Sequence, residues 1–179
     1  MLPTNFSAVQ SADISISGCG ARVVYHPASH TLTLYRLEGR AAVQLSTDSA
    51  LGYPIVGGRE VCDFTDYSCA VQRKIVGVLG VGQRLTVTSR SPATGLVRTF
   101  TLETSGIIRG VLYARTSYRA GGEDVLAEQF VESGWELFEP GPVAWSYNGG
   151  GESPINDNDT VRRIDLADIE PFYHENRQD

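Results

Sequence analysis

The feature that most limits what this chain can become is a period-two alternation of apolar and polar residues, cut at short intervals by turn-forming residues. Ile14-Ser15-Ile16-Ser17, Thr31-Leu32-Thr33-Leu34-Tyr35, residues 83–88 and Thr99-Phe100-Thr101-Leu102 all alternate. Successive side chains of a strand point to opposite faces. The spacing therefore sets Leu32 with Leu34, Leu85 with Val87, and Phe100 with Leu102 on one face each. The Thr, Val and Tyr in these runs suit a pleated, half-buried surface. Residues 21–25, 41–46, 74–79, 110–118 and 143–147 read as further strands.

Two loops share one turn chemistry. His26-Pro27-Ala28-Ser29-His30 and Ser91-Pro92-Ala93-Thr94-Gly95 each combine a proline, which presets φ, with small polar residues. Both are predicted to join antiparallel neighbours. With 19 glycines, 8 prolines and many short strands, the chain is expected to be an all-β antiparallel sandwich. Residues 123–138 are the ambiguous stretch. Their composition tips towards a helix, with Leu126 and Phe130 four apart, while a period of two aligns Val125, Ala127, Gln129 and Val131. Residues 164–169 are read as at most one helical turn ahead of Pro171.

At 179 residues the chain is one ordinary domain, long enough to bury a core without disulfides or metal as staples. The formal net charge of −6 comes without a basic stripe, which argues against a nucleic-acid partner. The acidity is uneven. Eight of the 21 acidic residues but three of the 15 basic ones lie in residues 151–179, which read as a solvated, extended acidic stretch. No apolar run is long enough to cross a bilayer, so no membrane partner is expected. The N-terminus shows no secretory signal, and three cysteines make an odd count. Together these slightly favour the cytoplasm and otherwise leave localisation open.

His26 and His30 are four apart, but Pro27 breaks the helix that a two-histidine metal face would need. They read as solvent-facing loop residues. Cys62 and Cys69 flank Asp63, Phe64, Asp66 and Tyr67 in what reads as a surface loop or a pair of buried thiols, and a bridge between them is left open. There is no second cysteine pair for zinc, so no metal is expected there. Gly77, Gly80 and Gly82 do not have dinucleotide-fingerprint spacing, and no cofactor is expected; they suggest a bulge or a close backbone approach. Asn156-Asp157-Asn158-Asp159 begins like a calcium loop, but Arg162 and Asp168 stand where glycine and glutamate are required. No serine-nucleophile elbow is present, and nothing ranks one pair of carboxylates above another.

The last constellation is Trp145-Ser146-Tyr147-Asn148-Gly149-Gly150-Gly151, followed by Tyr173-His174-Glu175-Asn176-Arg177-Gln178-Asp179. An aromatic pair two apart on a strand, leading into a glycine loop, suits the apolar face of a sugar. By themselves the residues read first as a core tryptophan before a turn, because aromatics dominate cores. These residues resemble the end of the N-terminal domain of family-36 α-galactosidases and related melibiase-type glycosidases, which show an aromatic strand of the form W-S/T-F/Y-x-G-G. The strand run 85–88, the turn Ser91–Gly95, and residues 96–102 and 110–116 are similar to the hairpins ahead of the catalytic domain in that family. Residues 21–34 fit its first strand, turn and second strand.

The resemblance implies a β-supersandwich of two packed antiparallel sheets, like the galactose-mutarotase sandwich, and makes residues 125–132 a strand. The family's catalytic aspartates sit on a following (β/α)8 barrel. No catalytic residue, cofactor or metal ligand is therefore carried over to this chain. Trp145, Tyr147, Asn148, Gly149, Gly150, Glu175, Asn176 and Arg177 are the positions it implies near a galactoside-type sugar. Asn148 replaces the more usual glutamine, and loop 151–159 departs from the family pattern, which leaves the sugar open.

The expectation is thus a single non-catalytic N-terminal domain, 1–179, of an α-galactosidase-like glycoside hydrolase, with 152–179 leading to a barrel outside this chain. It would support the barrel and border its sugar site, and it predicts an uncovered apolar face. Homo-oligomerisation is left open. A free-standing carbohydrate-binding module would instead show two or three coplanar exposed aromatics. A mutarotase-like epimerase would place a histidine beside a glutamate in a cleft.

Overall fold

A computed structural model describes residues 12–77, 80–122 and 125–131, together with the backbone of 143–148 and 160–165. The chain divides into two compact units, Met1–Glu136 and Leu137–Asp179. Every described element is a β-strand, and every pairing is antiparallel. Among the described residues no helix is long and apolar enough to cross a membrane.

In the first unit, β1 (Ile14–Ser17), β2 (Ala21–His26), β3 (Thr31–Glu38) and β4 (Ala41–Gln44) form a meander, with β5 (Ser49–Ala50) also against β3. The strands β6 (Tyr53–Val56) and β7 (Arg59–Glu60) belong to a small sheet. A second meander follows: β8 (Thr65–Gly77), β9 (Gly80–Arg90), β10 (Val97–Ser105) and β11 (Leu112–Arg119), each beside its sequence neighbour. Then β12 (Gln129–Val131) returns to pair with β6. In the second unit, β13 (Val143–Asn148) pairs with β14 (Thr160–Asp165).

The two meanders face each other as a sandwich. One cluster of buried residues takes Ile16, Val23, Tyr25, Leu32 and Leu51 from one side and Leu85, Val87, Phe100 and Leu102 from the other. The register explains why these residues meet. Tyr25 lies opposite Leu32 and Val23 opposite Leu34, while Leu102 lies opposite Leu85 and Phe100 opposite Val87. The alternation read in the sequence is therefore the inside-outside alternation of the sandwich. A second cluster, Val61, Phe64 and Leu96, packs with Val56, Tyr118 and Val125 beneath the small sheet.

Both proline loops are hairpin turns, joining β2 to β3 and β9 to β10. The glycine-rich stretch produces what its composition suggested. The β8–β9 pairing is irregular between Gln72 and Ile75, and Gly82 lies so close to β10 that a Cβ there would collide with the Thr104 carbonyl oxygen.

Several sequence expectations need correction. Residues 65–69 are the beginning of β8, not a loop, and Cys69 packs against the main core. Ile164 and Asp165 are in strand β14, not in a helical turn. Within the described part of the ambiguous stretch, residues 125–131, Gln129–Val131 is strand and no residue is helical. Its pairing with Tyr53-Pro54-Ile55 supplies the tertiary context that overrides weak helix propensity. All three cysteines are free thiols.

Candidate functional site

Of the residues expected near a sugar, Trp145, Tyr147 and Asn148 lie on β13, opposite Arg163, Val161 and Thr160 of β14. The aromatic strand is thus a strand, and residues beginning at position 160 supply its partner. Gly149, Gly150, Glu175, Asn176 and Arg177 lie outside the described residues, as do Asn156–Asp159 and His174.

The two described histidines are not free loop residues. His26, at the end of β2, places Nδ1 2.9 Å from Asp13 Oδ1 and Nε2 2.7 Å from Thr33 Oγ1. His30 has a φ of 56°, in the left-handed region. Its Nδ1 stands 3.2 Å from both the Tyr25 hydroxyl and Asp66 Oδ1. The charged or polar partners of both rings are aspartate, threonine and tyrosine. Among the described residues no histidine meets a glutamate, the pairing an epimerase would use.

Asp66 is buried, and the Tyr25 hydroxyl donates to its Oδ2. Burial, reinforced by that hydrogen bond to a carboxylate, pushes the Tyr25 phenol far above its ordinary range. A phenol held so firmly in its protonated form is a structural donor rather than a base. Arg98 is buried in the same region. Its Nη1 donates to the Gly52 carbonyl at 2.9 Å, and its guanidinium lies 4.3 Å from the Phe64 ring centroid. Burial lowers the Arg98 pKa, and the nearby acidic groups, Asp66 among them, counter the shift. The Tyr25–Asp66 bond joins β2 to β8, and Arg98 ties β10 to the Gly52 carbonyl, by polar contacts inside the sandwich.

The outward face of the second meander carries a different arrangement. Register puts Arg84, Glu103 and Tyr113 in one row across β9, β10 and β11, with Thr86, Thr101 and Arg115 in the next. These six residues line a depression of about 370 Å³. Glu103 is its fixed point, with a side chain only 9% exposed. Arg84 grips Glu103 Oε1 through Nε at 2.7 Å and Nη2 at 2.5 Å, and its Nη1 reaches Gln72 Oε1 at 3.4 Å. The other carboxylate oxygen faces Gly77, where a Cβ would come within 2.8 Å of it. Glycine at 77 thus makes room for the carboxylate. Tyr113 is 42% exposed.

Sequence reasoning did not single out these six residues. Each occupies a polar position of an alternating strand and reads by itself as solvated. The one available signal was two arginines, a glutamate and a tyrosine at outward positions of three consecutive hairpin strands. Among the described residues no group of three or more His, Cys, Asp or Glu is placed to hold a metal ion.

No family model matches the chain. Over 175 residues, 98% of its length, the chain is 48% identical to a protein of Flavonifractor plautii named A type blood alpha-D-galactosamine galactosaminidase. The chain spans 16% of that relative's length. It is therefore similar to one segment of a much longer glycoside hydrolase.

Proposed function

We propose that this chain is a non-catalytic β-sandwich domain of a larger glycoside hydrolase acting on galactose-configured sugars. The observation that carries this is the 48% identity, sustained over 98% of the chain, to a segment making up 16% of a galactosaminidase. Most of that relative's length lies outside the matching segment, and our reading puts the catalytic domain there.

In finer terms, we read residues 1–179 as one N-terminal module of the family-36 α-galactosidase kind, packing on a (β/α)8 barrel. The aromatic strand β13 with its glycine loop, Trp145, Tyr147, Asn148, Gly149 and Gly150, and the later Glu175, Asn176 and Arg177, would border the sugar site. Two carboxylates of the barrel would cleave the glycosidic bond with retention through a covalent intermediate. Galactose or its 2-amino derivative is the sugar class, the latter by analogy with the relative's name.

A packing role is also supported by an exposed apolar group at one end of the second meander. Val76 is 81% and Ile107 69% exposed, and Val81 and Ile108 are exposed with them. Val76 pairs with Val81, whose carbonyl accepts from Gly106 N–H at 2.6 Å, so the facing ends of β8 and β9 and the β10–β11 loop present these side chains from neighbouring backbone. Apolar groups gathered this way suit a domain interface.

The test is turnover by the purified 179-residue chain of aryl α-galactoside and aryl α-galactosaminide. No release of the aryl group is expected, while a longer protein carrying both this segment and a barrel hydrolyses one or both. Hydrolysis by the chain alone would overturn the non-catalytic assignment.

A further inference from the structure

We propose that His26 is a proton-operated clasp. With a hydrogen on both ring nitrogens it fixes Asp48, on the connection between β4 and β5, and on losing one of them it lets that carboxylate go.

Counting hydrogens fixes the state of the ring. Thr33 has one hydroxyl proton, and its Oγ1 lies 2.7 Å from Asp48 Oδ1 and 2.7 Å from His26 Nε2. A carboxylate only accepts, so the Thr33 proton goes to Asp48. Thr33 Oγ1 is then left to accept, and His26 Nε2 carries a hydrogen to donate to it. The other ring nitrogen, Nδ1, stands 2.9 Å from Asp13 Oδ1, a second group that only accepts. All three contacts are made at once by an imidazolium and by no neutral form of the ring. Asp13, just ahead of β1, and Asp48, 3.8 Å from Nε2, are the charged groups that the described residues place at the ring, while β3 presents the neutral Thr33.

A neutral ring has one N–H for two acceptors. The Asp13 carboxylate cannot become a donor, whereas the Thr33 hydroxyl can. The hydrogen therefore stays on Nδ1, the proton on Nε2 leaves for water, and the Thr33 hydroxyl turns to donate to the bare Nε2. Its oxygen then meets Asp48 Oδ1 with lone pairs alone, at a separation that suits a hydrogen bond and not two acceptors. The Asp48 side chain is 61% exposed and exchanges the lost bond for water. Thr33 is buried, so the Asp13–His26–Thr33 row offers no nucleophile to a substrate and acts on the fold alone. The connection is tied to β3 on both sides of Asp48: Ser46 Oγ accepts from Leu34 N–H at 2.9 Å, and Ser49 pairs with Leu32. Release of the middle tether loosens residues 46–49 while the strands stay paired.

The experiment is an NMR titration of the full chain between pH 5 and pH 8, on either side of the value of about 6.5 for a free imidazole. Ring-nitrogen spectra are expected to show His26 protonated on both nitrogens at pH 5 and on Nδ1 alone at pH 8. Amides of residues 46–49 should move with the same midpoint as that ring. The movement should vanish in His26→Gln and persist in His30→Gln, whose ring faces Tyr25 and Asp66 instead. In Asp48→Ala, at an exposed position that leaves the ring able to titrate, it should fall severalfold, and this variant decides if His26→Gln does not fold. Unchanged movement in Asp48→Ala would reduce the effect to the field of a nearby charge and overturn the clasp. A neutral His26 that keeps its hydrogen on Nε2 would overturn it too, because Thr33 would then never turn away from Asp48. So would amides that ignore the pH, that still follow it in His26→Gln, or that follow the His30 ring.

Discussion

The Tyr25 hydroxyl, carried on β2, donates to the carboxylate of Asp66 on β8, 41 residues further along the chain. The bond joins the inner faces of two different sheets, and both residues are buried. Tyr25→Phe keeps the ring and its packing but removes the donor from a buried carboxylate. It should cost about 1–3 kcal/mol, read as a lower urea midpoint with an unchanged slope.

The same bond sets a response to alkali. The Tyr25 pKa is raised by burial first and by Asp66 second. A folded-state pKa above the unfolded value means stability that is fully present below the unfolded value of about 10 and is lost as the pH rises beyond it. Melting temperatures should therefore fall above about pH 10, and Tyr25→Phe should flatten that limb.

Arg98 is held by shape as much as by charge. Its planar group lies over Phe64 while one nitrogen donates to the Gly52 carbonyl. A lysine ammonium reproduces neither the plane nor the fork. Arg98→Lys should destabilise by about 1–2 kcal/mol despite keeping the charge, measured by thermal unfolding at pH 7.

Asp63 organises the turn between β9 and β10. Its carboxylate accepts from Ser91 Oγ at 2.6 Å and from Ala93 N–H at 3.0 Å. Burial pushes its pKa up, but these hydrogen bonds outweigh that and hold it below the usual carboxylate range. A depressed folded-state pKa gives stability that is present above the unfolded value of about 3.9 and fades as the pH falls below it. Asp63→Ala should cost about 1 kcal/mol at pH 7, a modest figure because the site is exposed, and less than that at pH 3. Paired urea titrations at the two pH values check this.

Thiol chemistry should separate the cysteines. Burial first, and Asp66 second, push the Cys69 thiol up to about 11. Cys19 and Cys62 are exposed. With iodoacetamide at pH 8, mass spectrometry should find Cys69 labelled last, and at a comparable rate to the others only after urea is added.

The sandwich was legible in the sequence wherever one face of a strand is apolar. Leu32, Leu85, Val87, Phe100 and Leu102 advertise both the strand and its inner face, and all belong to the main core. Strands without that signature were missed. β6 contains Pro54, which cannot donate to a ladder, though its carbonyl accepts from Val61. The first part of β8 is a run of Asp, Ser and Cys, and β14 has adjacent Arg162 and Arg163, so neither alternates cleanly. The polar sites were harder still. Arg84, Glu103 and Tyr113 become neighbours only through the register of three strands, and His30 meets Asp66 only across the sandwich. Such contacts are long-range consequences of folding, and local pattern does not encode them.

The two meanders have a consequence for how the molecule is made. In each, strands pair in the order in which the ribosome delivers them, so most closures span only a short hairpin. The entropy of closing a loop grows with its length, and topologies rich in neighbouring pairings reach their native state faster than those that are not. Each sheet can thus zip up alone during synthesis, and the clasp between Tyr25 and Asp66 joins the first meander to the second as soon as β8 has followed it.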